Sequence, residues 1–485
     1  MLTDGLATAE THLSWLVMLG DRVFKAKKPV RTEFVDLTTR AARQYVLEQE
    51  VRLNRRLAPD VYLGVATLAG VAGLDEPVCV MRRMPDDRRL AVLAAAGEPL
   101  DDVVRQIAAL LAGLHGRTAV VDGHRTAAAA LGDWRANSAE LAVHGAGVLP
   151  AGQVERVQAL AEHYLGGREP LFAQRARDGR VRDGHGDLLA DDVFCLPDGP
   201  RVLDCLEFDD RLRGGDVLAD MAFLAMDLER LGRPELGRAL LVEHRRLLAD
   251  DWPDSLGEHW IAYRAQVRAK VACLRAEQEG PGAGELARLH LDLAERHLGR
   301  AQLRIVLVGG SPGTGKSTVA QALAALTGWP VLRSDVLRAE LVGRAPGERP
   351  AAPASGAMDT GDHAPEVTGR VLAELLRQTE ELVGSGRSVV LDATWSSVAW
   401  REEVQRLAVR TGCALVSVRA VLPDAVADER VRRRTLVGRD ASDATVDTAR
   451  VLRQRFAAWP EAVELDTREP ASEVAATIQR LADRA

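Results

Sequence analysis

The stretch RIVLVGGSPGTGKSTVAQAL, residues Arg304–Leu323, decides the fold of the C-terminal part of this 485-residue chain. It reads as a buried strand, a glycine-rich turn and a helix, and within it GSPGTGKS (Gly310–Ser317) fits G-x-x-x-x-G-K-[ST] in the setting that motif requires. Gly310, Gly313 and Gly315 let the backbone curl so that its N–H groups face phosphate oxygens, and the helix N-terminus adds a favourable dipole. Gly310, Ser311, Pro312, Gly313, Thr314, Gly315, Lys316, Ser317 and Thr318 are therefore expected to cradle the phosphates of ATP or GTP. Lys316 should reach the β- and γ-phosphates and Ser317 should ligate Mg²⁺. The alternative is a glycine-rich strand-to-helix turn that binds nothing.

Working outward, strand and helix alternate from about residue 300 to the end, which favours a parallel sheet with helices on both faces. SVVLDAT places Asp392 at the C-terminal end of a strand, where a carboxylate would complete a magnesium shell. In VLRSDVLRAEL, Asp335 follows a strand and Arg338 lies one helical turn later. The pair suits proton removal from a hydroxyl by Asp335 with Arg338 steadying an anion, or else Ser334 or Asp335 merely caps a helix. ERVRRRT concentrates Arg430, Arg432, Arg433 and Arg434. Arg430 and Arg434 share a helical face and read either as a lid that closes on phosphates or as a solvated surface. Gly343 to His363, rich in Ala, Pro and Gly, is expected to be a mobile loop. Together these motifs resemble the small P-loop kinases that include gluconate kinase-like and polynucleotide 5′-kinase enzymes, an AAA-type group. The resemblance implies ATP, Mg²⁺ and a hydroxyl acceptor.

Upstream the pattern differs. LSWLVML and RVFKAKK read as two strands about Gly20-Asp21, a helix follows between Leu37 and Leu57, and two further strands lie near 61–71 and 78–84. That is a small sheet with one helix across it, followed by a mostly helical region from about residue 89 to residue 300. Lys25 and Lys27 alternate onto one face of their strand, set either for phosphate contact or on a charged exposed edge. Glu50, with Glu48 as rival, is the candidate partner on the helix. One island between 181 and 208 interrupts the helices. There VFCLPDGPRVLDCLEF forms two apolar runs about Pro197-Asp198-Gly199, a hairpin signal.

HGDLLADDVF before that hairpin sets Asp187 in a loop, Asp192 five residues on, and Asp204 after the second run, which suits one base and two metal ligands, or a structural acidic loop. The segment resembles the catalytic loop of aminoglycoside and choline phosphotransferases, a protein-kinase-like family. That resemblance implies Asp187 as catalytic base and Asp204 as principal magnesium ligand. Asp192 stands where the family has Asn, and no G-x-G-x-x-G lies between the first two strands. His115 reads as a packing or capping residue, and Arg264, Arg268 and Arg275 as a solvated stripe or an anionic-substrate wall.

Through VFKAKKP, LNRRLAPDVYLG, HGDLLADD, FLAMDLE and GSPGTGKS, the chain resembles fused bacterial proteins in which an aminoglycoside phosphotransferase-like domain precedes a P-loop kinase. The expected fold class is α+β and α/β in two domains. Residues 1–300 would form a bilobal protein-kinase-like domain, with its small lobe to about residue 88, and residues 301–485 a P-loop domain. The expected function is ATP- and Mg²⁺-dependent phosphotransfer to a small-molecule hydroxyl. Alternatives are an N-terminal ligand sensor that regulates the P-loop module, and a 5′-hydroxyl nucleic-acid kinase.

Bulk properties fit a cytoplasmic globular protein. Hydrophobic residues make up 47% and charged residues 27%, and the formal net charge of −7 argues against a nucleic-acid coat or an anionic-membrane binder. The five cysteines form no C-x-x-C pair, so neither a zinc site nor a disulfide framework is expected. No stretch reaches the roughly 18 apolar residues of a membrane span.

Overall fold

The computed structural model describes residues 6–11, 13–32, 35–69, 75–121, 126–279, 281–343, 361, 364–437 and 445–485, with only the backbone given at 277–279, 281 and 434–437. The chain divides into two compact units. Met1–Val157, Phe172–Trp252 and Gly257–His297 form the first, and Gln158–Leu171, Pro253–Leu256 and Leu298–Ala485 the second. The change of pattern near residue 300 lies beside the last crossing between them. Most of the expected loop from Gly343 to His363 lies outside the described residues.

Unit 1 opens with β1 (Leu6–Glu10), β2 (Ser14–Leu19), β3 (Arg22–Lys27), β4 (Tyr62–Leu68) and β5 (Glu76–Arg82). They form an antiparallel sheet in the order β1-β2-β3-β5-β4. Since β3 is paired on both sides, Lys25 and Lys27 do not lie on an exposed edge. Helix Arg40–Asn54 starts where the Thr39 side chain accepts the Ala42 N–H. Its Leu47 and Val51 pack against Val23, Cys79 and Met81, and Glu50 lies on that same inward stripe.

In the helical part of unit 1, helix Val217–Arg230 is buried along its whole course from Val217 to Leu228. A central helix needs a sequence that is apolar nearly all round, and here Asp220 and Asp227 are the buried exceptions. β6 (Val181–Asp183) pairs with β9 (Gly214–Asp216), and β7 (Val193–Leu196) with β8 (Gly199–Val202) in the expected hairpin.

Unit 2 is built on β10 (Leu303–Gly309), β11 (Val331–Arg333), β12 (Val389–Asp392), β13 (Cys413–Val421) and β14 (Val463–Asp466). All pairings are parallel, in the order β11-β12-β10-β13-β14. The central strand β10 is buried throughout. Ile305 and Leu307 enter one core and Val306 and Val308 the other, as a sheet covered on both faces demands. Register aligns Val308 and Arg333 with Asp392 across neighbouring strands, so these residues meet at the C-terminal edge of the sheet.

The segment Gln158–Leu171 is knitted into this unit by Arg168, whose side chain is fully buried. Its guanidinium donates to the carbonyls of Tyr164, Val383 and Thr411. Truncation would leave buried acceptors without donors, which costs roughly 1–3 kcal/mol each. Arg168→Ala is expected to destabilise unit 2 by about 2–4 kcal/mol, read as an earlier thermal transition in calorimetry of the full chain.

Candidate functional site

In unit 2 the Gly310–Ser317 loop follows β10 and ends at helix Lys316–Thr327. Gly310, Gly313 and Gly315 have φ of 131°, 85° and 89°, a region closed to most side chains. Space forbids a side chain too: a Cβ on Gly313 would lie 2.5 Å from the Ala427 carbonyl oxygen. Thr467 Oγ1 donates to the Thr314 carbonyl at 2.6 Å, and Thr314 Oγ1 donates to the Ser311 carbonyl at 2.8 Å. Lys316 Nζ folds back to the Ser311 carbonyl at 3.2 Å. Thr318 lies in the first helical turn and is exposed, while Pro312 is buried.

Asp392 is buried at the end of β12. Burial pushes its carboxyl above the ordinary range, against the pull of Lys316, Ser317 and Arg333. Arg333 donates to both oxygens, from Nε to Asp392 Oδ2 at 3.2 Å and from Nη2 to Ser317 Oγ at 3.3 Å. Asp335 lies in the first turn of helix Ser334–Leu341 and its charge acts on Asp392. Arg338 Nη1 donates to Thr368 Oγ1 at 3.1 Å. Arg430 lies over the loop: Nη2 donates to the Thr467 carbonyl at 3.0 Å, and Nη1 is 3.2 Å from where a Gly315 Cβ would be. Arg432 and Arg433 instead pair with Glu429 on the exposed face of helix Asp424–Val437. The Arg434 side chain lies outside the described residues.

In unit 1, β3 presents Lys25 and Lys27 to Glu50, with Lys25 Nζ–Glu50 Oε1 at 2.7 Å and Lys27 Nζ–Glu50 Oε2 at 2.9 Å. The helical partner is thus Glu50 and not Glu48, which accepts from Gln44. Lys27 also reaches Glu207 at 2.6 Å and Lys25 reaches Asp204 at 3.2 Å. Burial opposes the charge on Lys25, but Asp204 and Glu50 outweigh it and raise the pKa well above the usual value. Lys25 in turn holds the Asp204 carboxyl below its usual range, against burial. Asp204 has φ of 61°. It is held there as its own N–H donates to Tyr62 Oη at 3.2 Å and the next N–H, of Cys205, donates to Asn54 Oδ1 at 2.9 Å. One helix therefore supplies both Glu50 and Asn54.

The Asp187 loop hangs on Asp220, which accepts the N–H of His185 at 2.6 Å and of Gly186 at 3.0 Å. A Cβ on Gly184 would lie 2.1 Å from Asp220 Oδ2, so the loop passes too close for any other residue. His115 Nε2 is 3.2 Å from the same carboxylate, and its Nδ1 is 2.9 Å from His244 Nε2. The expected packing histidine is thus buried and also orients the carboxylate that holds the loop. Burial pushes Asp220 up, but His115 and Arg264 outweigh it and keep it ionised. Asp227 holds the Ala190 N–H at 2.9 Å in the same way. Sequence inspection did not single out Asp220, Asp227 or Arg333. For the first two the signal is a charge inside an otherwise apolar stretch, which has to be satisfied by something.

Burial raises Asp187, and burial together with Asp204 and Asp187 raises Asp192 well above the carboxylate range. Such mutual repulsion is relieved by a cation between the groups. The donors are hard oxygens suited to Mg²⁺. No three acidic, histidine or cysteine side chains converge closely enough to hold an ion alone among the described residues. A magnesium site here would take further oxygens from phosphate or water, as Mg²⁺ commonly does.

The parallel sheet with its phosphate-type loop defines the class of unit 2: residues 305–459 match the AAA domain family AAA_33. Over 468 residues the chain is 42% identical to the uncharacterized protein Rv2004c of Mycobacterium tuberculosis, covering 95% of this chain and 92% of that one. The chain belongs to the same family. Among solved structures, a choline/ethanolamine kinase family protein from Mesorhizobium loti covers 62% of this chain and 93% of its own at 15% identity and a TM-score of 0.40. A gluconokinase from Sinorhizobium meliloti covers 38% of this chain and 94% of its own at 21% identity and a TM-score of 0.26.

Gly313→Ala, which places a methyl group against the Ala427 carbonyl and displaces the helix carrying Arg430, is expected to weaken ADP binding at least about tenfold in calorimetric titration.

Proposed function

We propose that the chain is an ATP- and Mg²⁺-dependent phosphotransferase acting on hydroxyl groups of small molecules, with a transfer site in each unit. The observation that carries this reading is the Gly310–Ser317 loop beneath Arg430, with Ser317, Asp392 and Lys316 gathered at the same sheet edge. In unit 2, Lys316 and Arg430 would bind the phosphate chain, Ser317 and Asp392 would hold Mg²⁺ once Arg333 gives way, and Asp335 would accept the hydroxyl proton. The bound ion would neutralise charge on the phosphates.

In unit 1, Lys25 would bind phosphate oxygens while Glu50 fixes its position. Asp204 and Asp192 would hold Mg²⁺, and Asp187 would take the acceptor proton. The linked Lys25–Glu50–Asp204 set favours a working site over a silent sensor. Transfer forms a bond from the acceptor oxygen to the γ-phosphorus and breaks that phosphorus's bond to the β,γ-bridging oxygen. The proton passes to Asp187, and the electron pair leaves with ADP. We place the work in the cytoplasm, consistent with five buried cysteines that form no disulfide.

ATP consumption against sugars, small alcohols, aminoglycosides and 5′-hydroxyl oligonucleotides tests the assignment. Lys316→Ala should remove unit 2 turnover by at least about a hundredfold, and Asp187→Asn should do the same for unit 1 only. Loss of all turnover in Asp187→Asn would contradict independent sites. If neither variant affects turnover, the proposed roles are wrong.

Because Asp187 must be ionised to accept a proton and burial raises its pKa, unit 1 activity should fall as pH drops through that raised value. In a pH–rate profile of the Lys316→Ala protein the acid limb should therefore lie above the ordinary carboxylate pKa of about 3.9.

A further inference from the structure

Helix Asp254–Glu279 sets Arg264, Arg268 and Arg275 at spacings of four and seven residues, on one face. Arg264 is committed to the Asp187 loop: Nη1 lies 3.4 Å from the Gly186 carbonyl, and the guanidinium stacks 4.8 Å from the Phe223 ring centroid. One turn later, about 6 Å along the axis, Arg268 is the cation that acts most strongly on Asp187. Arg268 and Arg275 also line a cavity of about 220 Å³, with Val271, Ala272 and Leu286 among its apolar walls. No carboxylate and no aromatic ring lines it among the described residues.

This chemistry is selective. A quaternary ammonium or an aminosugar needs carboxylates or aromatic faces, which the described residues of this cavity do not offer. Two guanidinium groups instead match the oxygens of a phosphate or carboxylate. The cavity, about 220 Å³ and open on one side, admits a three- or four-carbon compound. Lys25 and Lys27 are neutralised by Glu50, Asp204 and Glu207, so they leave little positive charge for a second anion beside ATP. Arg268 and Arg275 supply it.

We propose that unit 1 takes an anionic acceptor, a small alcohol bearing a phosphate or a carboxylate, whose anionic group is held by Arg268 and Arg275 while its hydroxyl faces Asp187. This rests on the phosphotransfer reading of unit 1, and binding and turnover are therefore measured separately.

Full-length Lys316→Ala protein, with the unit 2 loop disabled, is titrated with glycerol 3-phosphate, glycerate, glycerol and choline by ligand-observed NMR, and ADP release is followed with each in the presence of Mg·ATP. At least one of the two anions should bind, and which one binds best separates phosphate from carboxylate. Arg268→Ala with Arg275→Ala should weaken that binding at least tenfold. Arg268→Lys should recover part of it, and the melting temperature checks that each variant is folded. Binding of neither anion, equal binding of choline or glycerol, or anion binding unchanged in the double variant overturns the proposal. Anion binding that depends on the two arginines, without ADP release for any compound, upholds the anion site and refutes the phosphotransfer reading of unit 1.

Discussion

Buried like charges repel strongly unless carboxylates separate them. Glu50 meets that constraint in unit 1. Fully buried, it spends one carboxylate oxygen on Lys25 and the other on Lys27. Because the two lysines are then fixed, Asp204 and Glu207 are drawn to their far sides, and the backbone at Asp204 is held in a left-handed conformation that costs on the order of 1–3 kcal/mol. Hydrogen bonds that Tyr62 and Asn54 accept from the backbone N–H groups of Asp204 and Cys205 offset that cost. In unit 2 the same electrostatic problem is solved from the opposite side. There the carboxylate Asp392 is the buried group, and Arg333 compensates it.

The parts of this arrangement that were legible in the sequence are those whose signal is local. The glycines of Gly310–Ser317 announce positive φ within eight residues. The alternation of Lys25 and Lys27 fixes a shared face from strand period alone, and helical period brings Glu50 onto the inward stripe with Leu47. The hairpin about Pro197-Asp198-Gly199 carried its own turn chemistry.

The remainder depends on contacts between distant residues. Asp220 serves backbone groups 34 and 35 positions away, so nothing near it in the chain states its role. β9 is a Gly-Gly-Asp run with no side-chain alternation and is a strand only because β6 lies alongside. Arg333 stands two residues before Asp335, yet its significance comes from register with Asp392 on another strand. From the sequence His115 reads only as a packing or capping residue, because its position at the end of an apolar helix says nothing of Asp220 or His244.

The passage of the chain between its units, at 157–158, 171–172, 252–253, 256–257 and 297–298, has a consequence for how such a gene can evolve. A recombination joint at codon 300 would transfer the whole parallel sheet but leave behind Arg168, and with it the donors to the Val383 and Thr411 carbonyls. A domain that borrows its seal from an earlier segment of the chain is not readily shuffled as a cassette. Descent is then expected to keep both halves together, and drift in residues 158–171 should be constrained by the two helix ends that Arg168 seals rather than by the sequence that surrounds them.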